Sequence, residues 1–374
     1  MNLKKHIVTI LASGLLSCSI AQKLPAASPT ASTTQTVGIS EVSITYSRPS
    51  VKGRKIWGGL VSYGYSHPRF SIDPDVGVLP ATAPWRTGAN MAPTLTLSHD
   101  ASIEDNTVKA GTYVLFIAVF ENDEADIILS SNSSQIGSMV YDEKDNVLVA
   151  RVKTESAPYR EQMIFTFDSV TTDYTVASLN WENLKIPFSI TFDTQEIAYQ
   201  TFLEQEDTMQ PMLNGNWYAT AAVYLMNNQF HLDKALRYIK NSVDGYQLRS
   251  FPNLTTYANL LLLQNGEAEA QVLLDEAFAD PNAVGLNTLL FYGNQTLTLK
   301  LPDAALRTYS AIVEYYPGNE WRVLNGQARA YAQKKEFKKA ETALKSAKTF
   351  APKGYDMSIL QRKLDLIKQK KSLE

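Results

Sequence analysis

The sequence predicts a multidomain β + α protein: an antiparallel β-sandwich or jelly-roll-like domain, followed by an α-helical solenoid. Three observations carry this. Up to about Thr194, apolar residues recur with period two in short runs split by Gly, Asn and Asp. Beyond it they recur with a helical period, and within that part alanines return at a fixed 35-residue interval. A chain of 374 residues has room for two cores, because single cores stop growing near ~250–300 residues.

Residues 1–21 read as a signal peptide. Lys4 and Lys5 precede an apolar run from Ile7 to Leu16 that is too short to span a bilayer, and Ser19-Ile20-Ala21 supplies a small-x-small cleavage site before Gln22. A rival lies in Leu15-Leu16-Ser17-Cys18, a lipoprotein-like box that would leave Cys18 as a lipidated N-terminus; bulky Leu16 fits it poorly. The expectation is export, to the periplasm or as a secreted protein, with an outer-membrane lipoprotein as the alternative. Cys18 is the only cysteine, so a chain cut at Gln22 has no disulfide and no thiolate metal site. No later stretch approaches the roughly 18 consecutive apolar residues of a transmembrane helix.

Residues 22–36, rich in Ala, Ser, Thr and Pro, read as a flexible leader. The β-sandwich is expected over residues 37–194. Its strand candidates are Glu41–Tyr46, Thr94–Ser98, Thr112–Phe120, Asp126–Ser130, Val147–Val152, Met163–Phe167, Tyr174–Trp181 and Ile186–Phe192. Ser47–Pro93 is the exception, a long connection with many Gly and Pro, and a connection of that length inside a compact domain is usually functional.

A linking helix is expected within residues 195–214, from Gln195 to Glu206, and four helical hairpins over residues 215–353. Ala235, Ala270, Ala305 and Ala340 stand 35 residues apart. Four residues beyond each is Ile239, Leu274, Tyr309 or Leu344; twelve before each is Val223, Ala258, Gly293 or Ala328. Small residues facing one another let two helices approach, and stacked hairpins bury a core that no single hairpin could. With Phe337, Pro317 and Pro352, the pattern resembles the tetratricopeptide repeat, weakest in the first copy, where Val223 replaces a small residue. Residues 354–374 would form a polar capping helix and tail. The resemblance implies a helical surface for a protein partner.

The full chain carries 35 Lys and Arg against 38 Asp and Glu, yet Glu320–Glu374 alone holds 14 against 6. That excess reads as a lysine-coated helix pair facing water, or as a docking face for an acidic partner. It lacks interleaved aromatics, so nucleic acid is not an expected partner.

His67, His99 and His231 have no ligand spacing, and no phosphate loop, nucleophile elbow or His-Glu-x-x-His occurs. Asp73-Pro74-Asp75 and Glu121-Asn122-Asp123-Glu124 lack the further oxygens a calcium site needs. No catalytic residue, metal or cofactor is therefore assigned. The dense constellation is Tyr46-Ser47-Arg48-Pro49-Ser50-Val51-Lys52-Gly53-Arg54-Lys55-Ile56-Trp57-Gly58, with Pro84-Trp85-Arg86-Thr87-Gly88-Ala89-Asn90. Guanidinium forks clamp carboxylate or phosphate and indoles stack on flat or sugar-like faces, so Arg48, Arg54, Trp85, Arg86 and Asn90 are the candidate ligand-binding residues. The structural alternative has the arginines pinning the loop to backbone carbonyls while the tryptophans plug the end of the sandwich.

These stretches, with Ala110-Gly111-Thr112-Tyr113, resemble the hallmarks of a bacterial domain-of-unknown-function family, DUF 2911, over about Gln22–Asp193. The resemblance implies an exported protein of Gram-negative type, often with a helical repeat tail, and no transferable activity. Met91 stands where the family typically has an acidic residue, so any role of that carboxylate is lost here. Three functions follow. The first is an exported binding or scaffold protein, with the repeats gripping a protein and the sandwich holding a second ligand. The second is a carbohydrate- or anion-binding sandwich with the repeats as spacer. The third is an enzyme acting on an envelope polymer, which would need a positioned acid, base or nucleophile. The expected mature protein begins at Gln22: intact mass spectrometry of the exported chain checks this, and a diacylated Cys18 would overturn it.

Overall fold

A computed structural model of the chain describes residues 25–73, 77–134, 137–371 and 373. The expected signal peptide, Cys18 and the expected start at Gln22 lie outside these residues. The chain divides after Thr194 into two compact units. The first contains the strands β1 (Thr30–Val37), β2 (Ser40–Ser47), β3 (His67–Asp73), β4 (Gly77–Ala83), β5 (Thr94–Leu97), β6 (Ala101–Ile103), β7 (Asn106–Val108), β8 (Gly111–Val119), β9 (Glu124–Ser130), β10 (Asn146–Lys153), β11 (Glu155–Val170) and β12 (Tyr174–Thr191). They form a six-stranded sheet ordered β1-β2-β5-β8-β9-β10, a four-stranded sheet ordered β11-β12-β6-β7, and the separate hairpin β3-β4.

Register explains the core. Val42 and Ile44 pair with Leu97 and Leu95, Leu115 and Ile117 with Leu129 and Ile127, and Ile127 in turn with Ala150. Strand side chains alternate between faces, so these residues make one apolar row across the six-stranded sheet, and all are buried. The row faces the second sheet, where Tyr46 of β2 meets Phe165 of β11 edge-on at 5.0 Å between ring centres. At β8 and β9 the other face is covered too: Val114, Phe116, Ala118 and Ile128 pack with Ala83, Ala92 and Tyr141. Burial on both faces is why these two strands read as nearly unbroken apolar runs.

Three expectations need correction. The flexible leader of residues 22–36 carries β1, because its alternating threonines suit a pleated edge and pair with β2 from Thr30↔Ser47 to Val37↔Ser40. Tyr174–Trp181 and all but the last residue of Ile186–Phe192 are parts of one strand, β12, and Met163–Phe167 is the middle of the longer β11. Irregular pairing between Ser156 and Ile164, with Glu182 at φ 53°, bends this ribbon and interrupts the sequence pattern. The connection Ser47–Pro93 contains the β3-β4 hairpin, His67↔Ala83 to Asp73↔Gly77.

The second unit contains α1 (Thr194–Glu206), α2 (Met209–Leu213), α3 (Asn216–Asn227), α4 (Leu232–Lys240), α5 (Phe251–Leu263), α6 (Glu267–Ala277), α7 (Pro281–Val284), α8 (Leu286–Thr298), α9 (Pro302–Tyr315), α10 (Glu320–Gln333), α11 (Phe337–Ala347) and α12 (Met357–Lys368). The pairs α3/α4, α5/α6, α8/α9 and α10/α11 pack within themselves, and α12 packs on α11 through Leu360, Leu364 and Ile367. Asp356 caps α12, accepting from the Ser358 N–H at 2.9 Å. Ala235, Ala270, Ala305 and Ala340 are all fully buried, as are Ala258 and Ala328, while Val223 of the first pair is only half-buried. Lys234 and Tyr238 of α4 both bond the Glu206 carboxylate, tying α1 to the first pair. No helix among the described residues is long and apolar enough to cross a membrane.

Tyr309 is the bulky exception among the residues four beyond the alanines. Space for its ring comes from two glycines, since a Cβ at Gly293 would lie 3.0 Å from Cζ and one at Gly326 would lie inside the ring's van der Waals envelope. Helix propensity alone favours Gly326→Ala by up to ~1 kcal/mol, whereas overpacking a tight core costs about 1–3 kcal/mol. Net destabilisation is expected in thermal or denaturant unfolding, and a stabilised variant would refute this packing.

Candidate functional site

β8 spans nine residues, but β5 covers only its first half; the chain from Ser47 to Pro93 completes the edge. Beyond β5, Pro93 accepts from the Leu115 N–H at 2.9 Å, Trp85 accepts from the Ile117 N–H at 3.1 Å, and Gly64 donates to the Val119 carbonyl at 2.7 Å. The other end of the segment lies along β11. Met163 donates to the Pro49 carbonyl at 3.0 Å, Val51 donates to the Glu161 carbonyl at 2.8 Å, and Lys52 N–H reaches Glu161 Oε1 at 2.9 Å. The segment is thus zipped to both sheets by backbone groups that would otherwise be buried unpaired.

The arginines divide by role. Arg48 donates through Nε to the Met163 carbonyl at 3.0 Å and through its backbone N–H to Pro29 at 2.9 Å, which makes it a pin between segment and sheet. Arg54 follows a tight turn whose central residues, Lys52 and Gly53, both have left-handed backbone (φ 49° and 66°). Its Nε and Nη2 donate to the Val51 and Ser50 carbonyls at 3.1 and 2.6 Å, fixing the guanidinium plane without neutralising it. The stem of Arg86 packs over Gly137, where a Cβ would lie 2.7 Å from its Cδ. No carboxylate among the described residues forms an ion pair with any of the three.

The second motif turns on left-handed residues, Thr87 at φ 58° and Asn90 at φ 58°. Thr87 is wholly buried and bonded through its hydroxyl to the Trp85 carbonyl at 3.3 Å. A β-branched residue in this region is strained, by ~1–3 kcal/mol, and persists only where its surroundings hold it. Asn90 Nδ2 donates to the Ser28 carbonyl at 3.0 Å and to Ser47 Oγ at 3.3 Å. The two motifs meet because β2 and β5 are neighbours, with Thr45 opposite Thr94.

Three tryptophans gather where the segment spans the two sheets. Trp85 stacks on Trp181 of β12 at 5.8 Å and 15° between planes, and Trp57 stands edge-on to both at 6.0 and 5.9 Å. Beside them is a cavity of about 230 Å³ lined by Arg54, Leu60, His67, Trp85, Arg86 and Trp181, with Ser28, Pro49, Gly88 and Ala89 completing its wall. Trp181 is 1% exposed, and its Nε1–H has no hydrogen-bond partner; nor do the buried His67 Nδ1 and Trp57 Nε1. Buried polar groups normally find a partner, so the orphans on Trp181 and His67, both lining residues, mark the cavity out. Burial, reinforced by the Arg86 charge, lowers the His67 pKa below the ordinary 6.5 and keeps the ring neutral at pH 7.

Of the five candidate residues, Arg54, Trp85 and Arg86 line the cavity, whereas Arg48 and Asn90 hold the chain around it. His67 and Trp181 also line it and escaped the sequence reading. Trp181 sits within an ordinary alternating strand and His67 at the start of an unforeseen one, so neither carries a local signal. Elsewhere in the segment, Tyr65 donates to Asp126 at 2.8 Å, and Asp126 also pairs with Arg151, which lies over the Phe120 ring at 4.3 Å; this network straps the segment to β9 and β10. Burial and the Asp126 bond hold the Tyr65 phenol well above its usual range.

Residues 28–190 match the model of a family described as a protein of unknown function, DUF2911, a match that takes in all twelve strands but for the last residue of β12. No curated protein matches the chain.

Removing the Arg48 pin leaves the Met163 carbonyl without its partner, and an orphaned buried acceptor costs about 1–3 kcal/mol. Arg48→Ala should therefore lower the denaturation midpoint of the β unit by a corresponding amount. Unaltered unfolding would show that Arg48 does not hold the segment.

Proposed function

We propose that this is an exported binding protein whose β unit holds a ligand in the arginine–tryptophan cavity, while its helical unit offers a surface to a protein partner. One observation carries the first part. Two guanidiniums, two indoles and an imidazole from separate stretches line a single cavity, with orphaned polar atoms on Trp181 and His67. Convergent polar groups in a largely apolar hollow are the usual form of a ligand site. Support for the second part is the open groove of about 370 Å³ between α10 and α11, where Leu324, Tyr331 and Ala343 lie beside Lys338 and Lys339. The envelope-polymer enzyme is the weaker reading, because none of the described cavity-lining residues is a carboxylate.

Native mass spectrometry of the full mature chain, purified gently from the envelope of the cell that makes it, tests the reading. A low-mass species should travel with the wild type and be lost from Arg86→Ala. Equal retention by that variant, or no retained species on the wild type, would remove the cavity as a binding site.

A further inference from the structure

Resting on that reading of the cavity, we infer that its ligand is a small organic anion, a carboxylate on a compact apolar body. The charge balance comes first. Arg54 and Arg86 both border the cavity, neither forms an ion pair with a carboxylate among the described residues, and every described lining residue is neutral or cationic; the Glu161 carboxylate, which feels the Arg54 charge, is not among the described lining residues. Arg54 is held by uncharged carbonyls, so its positive charge remains. Two cations beside a hollow whose described wall carries no acid favour a negative occupant, and guanidiniums fit a carboxylate's two oxygens.

Hydrogen-bonding capacity points the same way. An indole N–H only donates, so the orphaned Trp181 Nε1 requires an acceptor. Neutral His67 can supply a second donor from Nδ1, in the tautomer that an acceptor there selects. A neutral sugar would need acceptors for several hydroxyls, but the described wall has no Asp, Glu, Asn or Gln side chain. Leu60, Pro49, Ala89 and the Trp85 ring supply apolar wall, which a bare inorganic anion would leave unused. Size sets the upper limit: about 230 Å³ lies below the ~300–1,000 Å³ of sites for drug-sized ligands.

Isothermal titration of the full mature chain tests the class with four probes: benzoate, its neutral counterpart benzamide, inorganic phosphate and glucose. Benzoate should bind at one site, with benzamide weaker by about tenfold or more, the loss associated with a charge-assisted contact. Arg86→Gln and Arg54→Gln should each weaken benzoate by a similar factor, measured where their melting curves show them folded. Trp181→Phe, which removes the N–H together with part of the ring system, should weaken it further than it weakens benzamide, measured where the variant's melting curve shows it folded. Benzamide or glucose binding as tightly as benzoate would overturn the anionic class and leave the cavity as a site for a neutral ligand. Phosphate binding alone would overturn the organic body. Benzoate binding that survives both arginine substitutions and a cavity-filling Ala89→Leu would place the ligand elsewhere and overturn the parent reading as well. Silence from all four probes would end the small-anion inference, while a species retained in native mass spectrometry would still uphold the cavity as a site.

Discussion

A mismatch in strand length governs the β unit. β8 is nine residues long, its neighbour β5 only four, and the half of β8 that β5 leaves unpaired is buried among apolar side chains. Backbone N–H and C=O groups in such a place must be paired, and the chain between Ser47 and Pro93 does this with Gly64, Trp85 and Pro93. The same chain begins on β11, so satisfying both edges stretches it between the two sheets. Arg54, Trp85 and Arg86 are together because of that backbone requirement. The cavity is a by-product of closing the sandwich, and its tryptophans remain part of the core.

Much of this architecture was legible from residue pattern. The alanines at 235, 270, 305 and 340 announced close helix contacts because small side chains at a fixed interval have little other use, and all four are buried. Alternation placed β2, β5, β8, β9 and β10 to within a residue or two. Composition misled at Thr30–Val37: polar threonines resemble a linker until a partner strand covers one of their faces. β12 was split in two because Glu182 adopts a left-handed conformation between its halves. The cavity itself was half legible. Arg54, Trp85 and Arg86 lie in dense motifs, but the participation of His67 and Trp181 depends on register between distant strands, which no local window contains.

Charge in the helical unit is less lopsided in space than along the chain. Lys334 pairs with Asp303, Lys339 with Glu336 at 2.7 Å and Lys345 with Glu341 at 2.8 Å. These pairs are largely exposed to solvent, so they screen the basic face more than they stabilise it. Lys363 is different. It is half-buried against Asn325, with Arg329 nearby, and both desolvation and that neighbouring charge lower its pKa. The basic surface is thus a mixture of paired and solvated groups, with Lys363 partly desolvated among them.

The tryptophan cluster has an optical consequence. Indoles whose centres lie 5.8–6.0 Å apart, two in nearly parallel planes and one almost perpendicular to them, share their electronic excitations. The β unit therefore carries a built-in chromophore, with an exciton couplet in its circular dichroism that Trp217 and Trp321 of the other unit do not contribute to. Because Trp85 and Trp181 are both core and cavity wall, that couplet reports the closure of the sandwich and the occupancy of the hollow in a single spectrum, without any label.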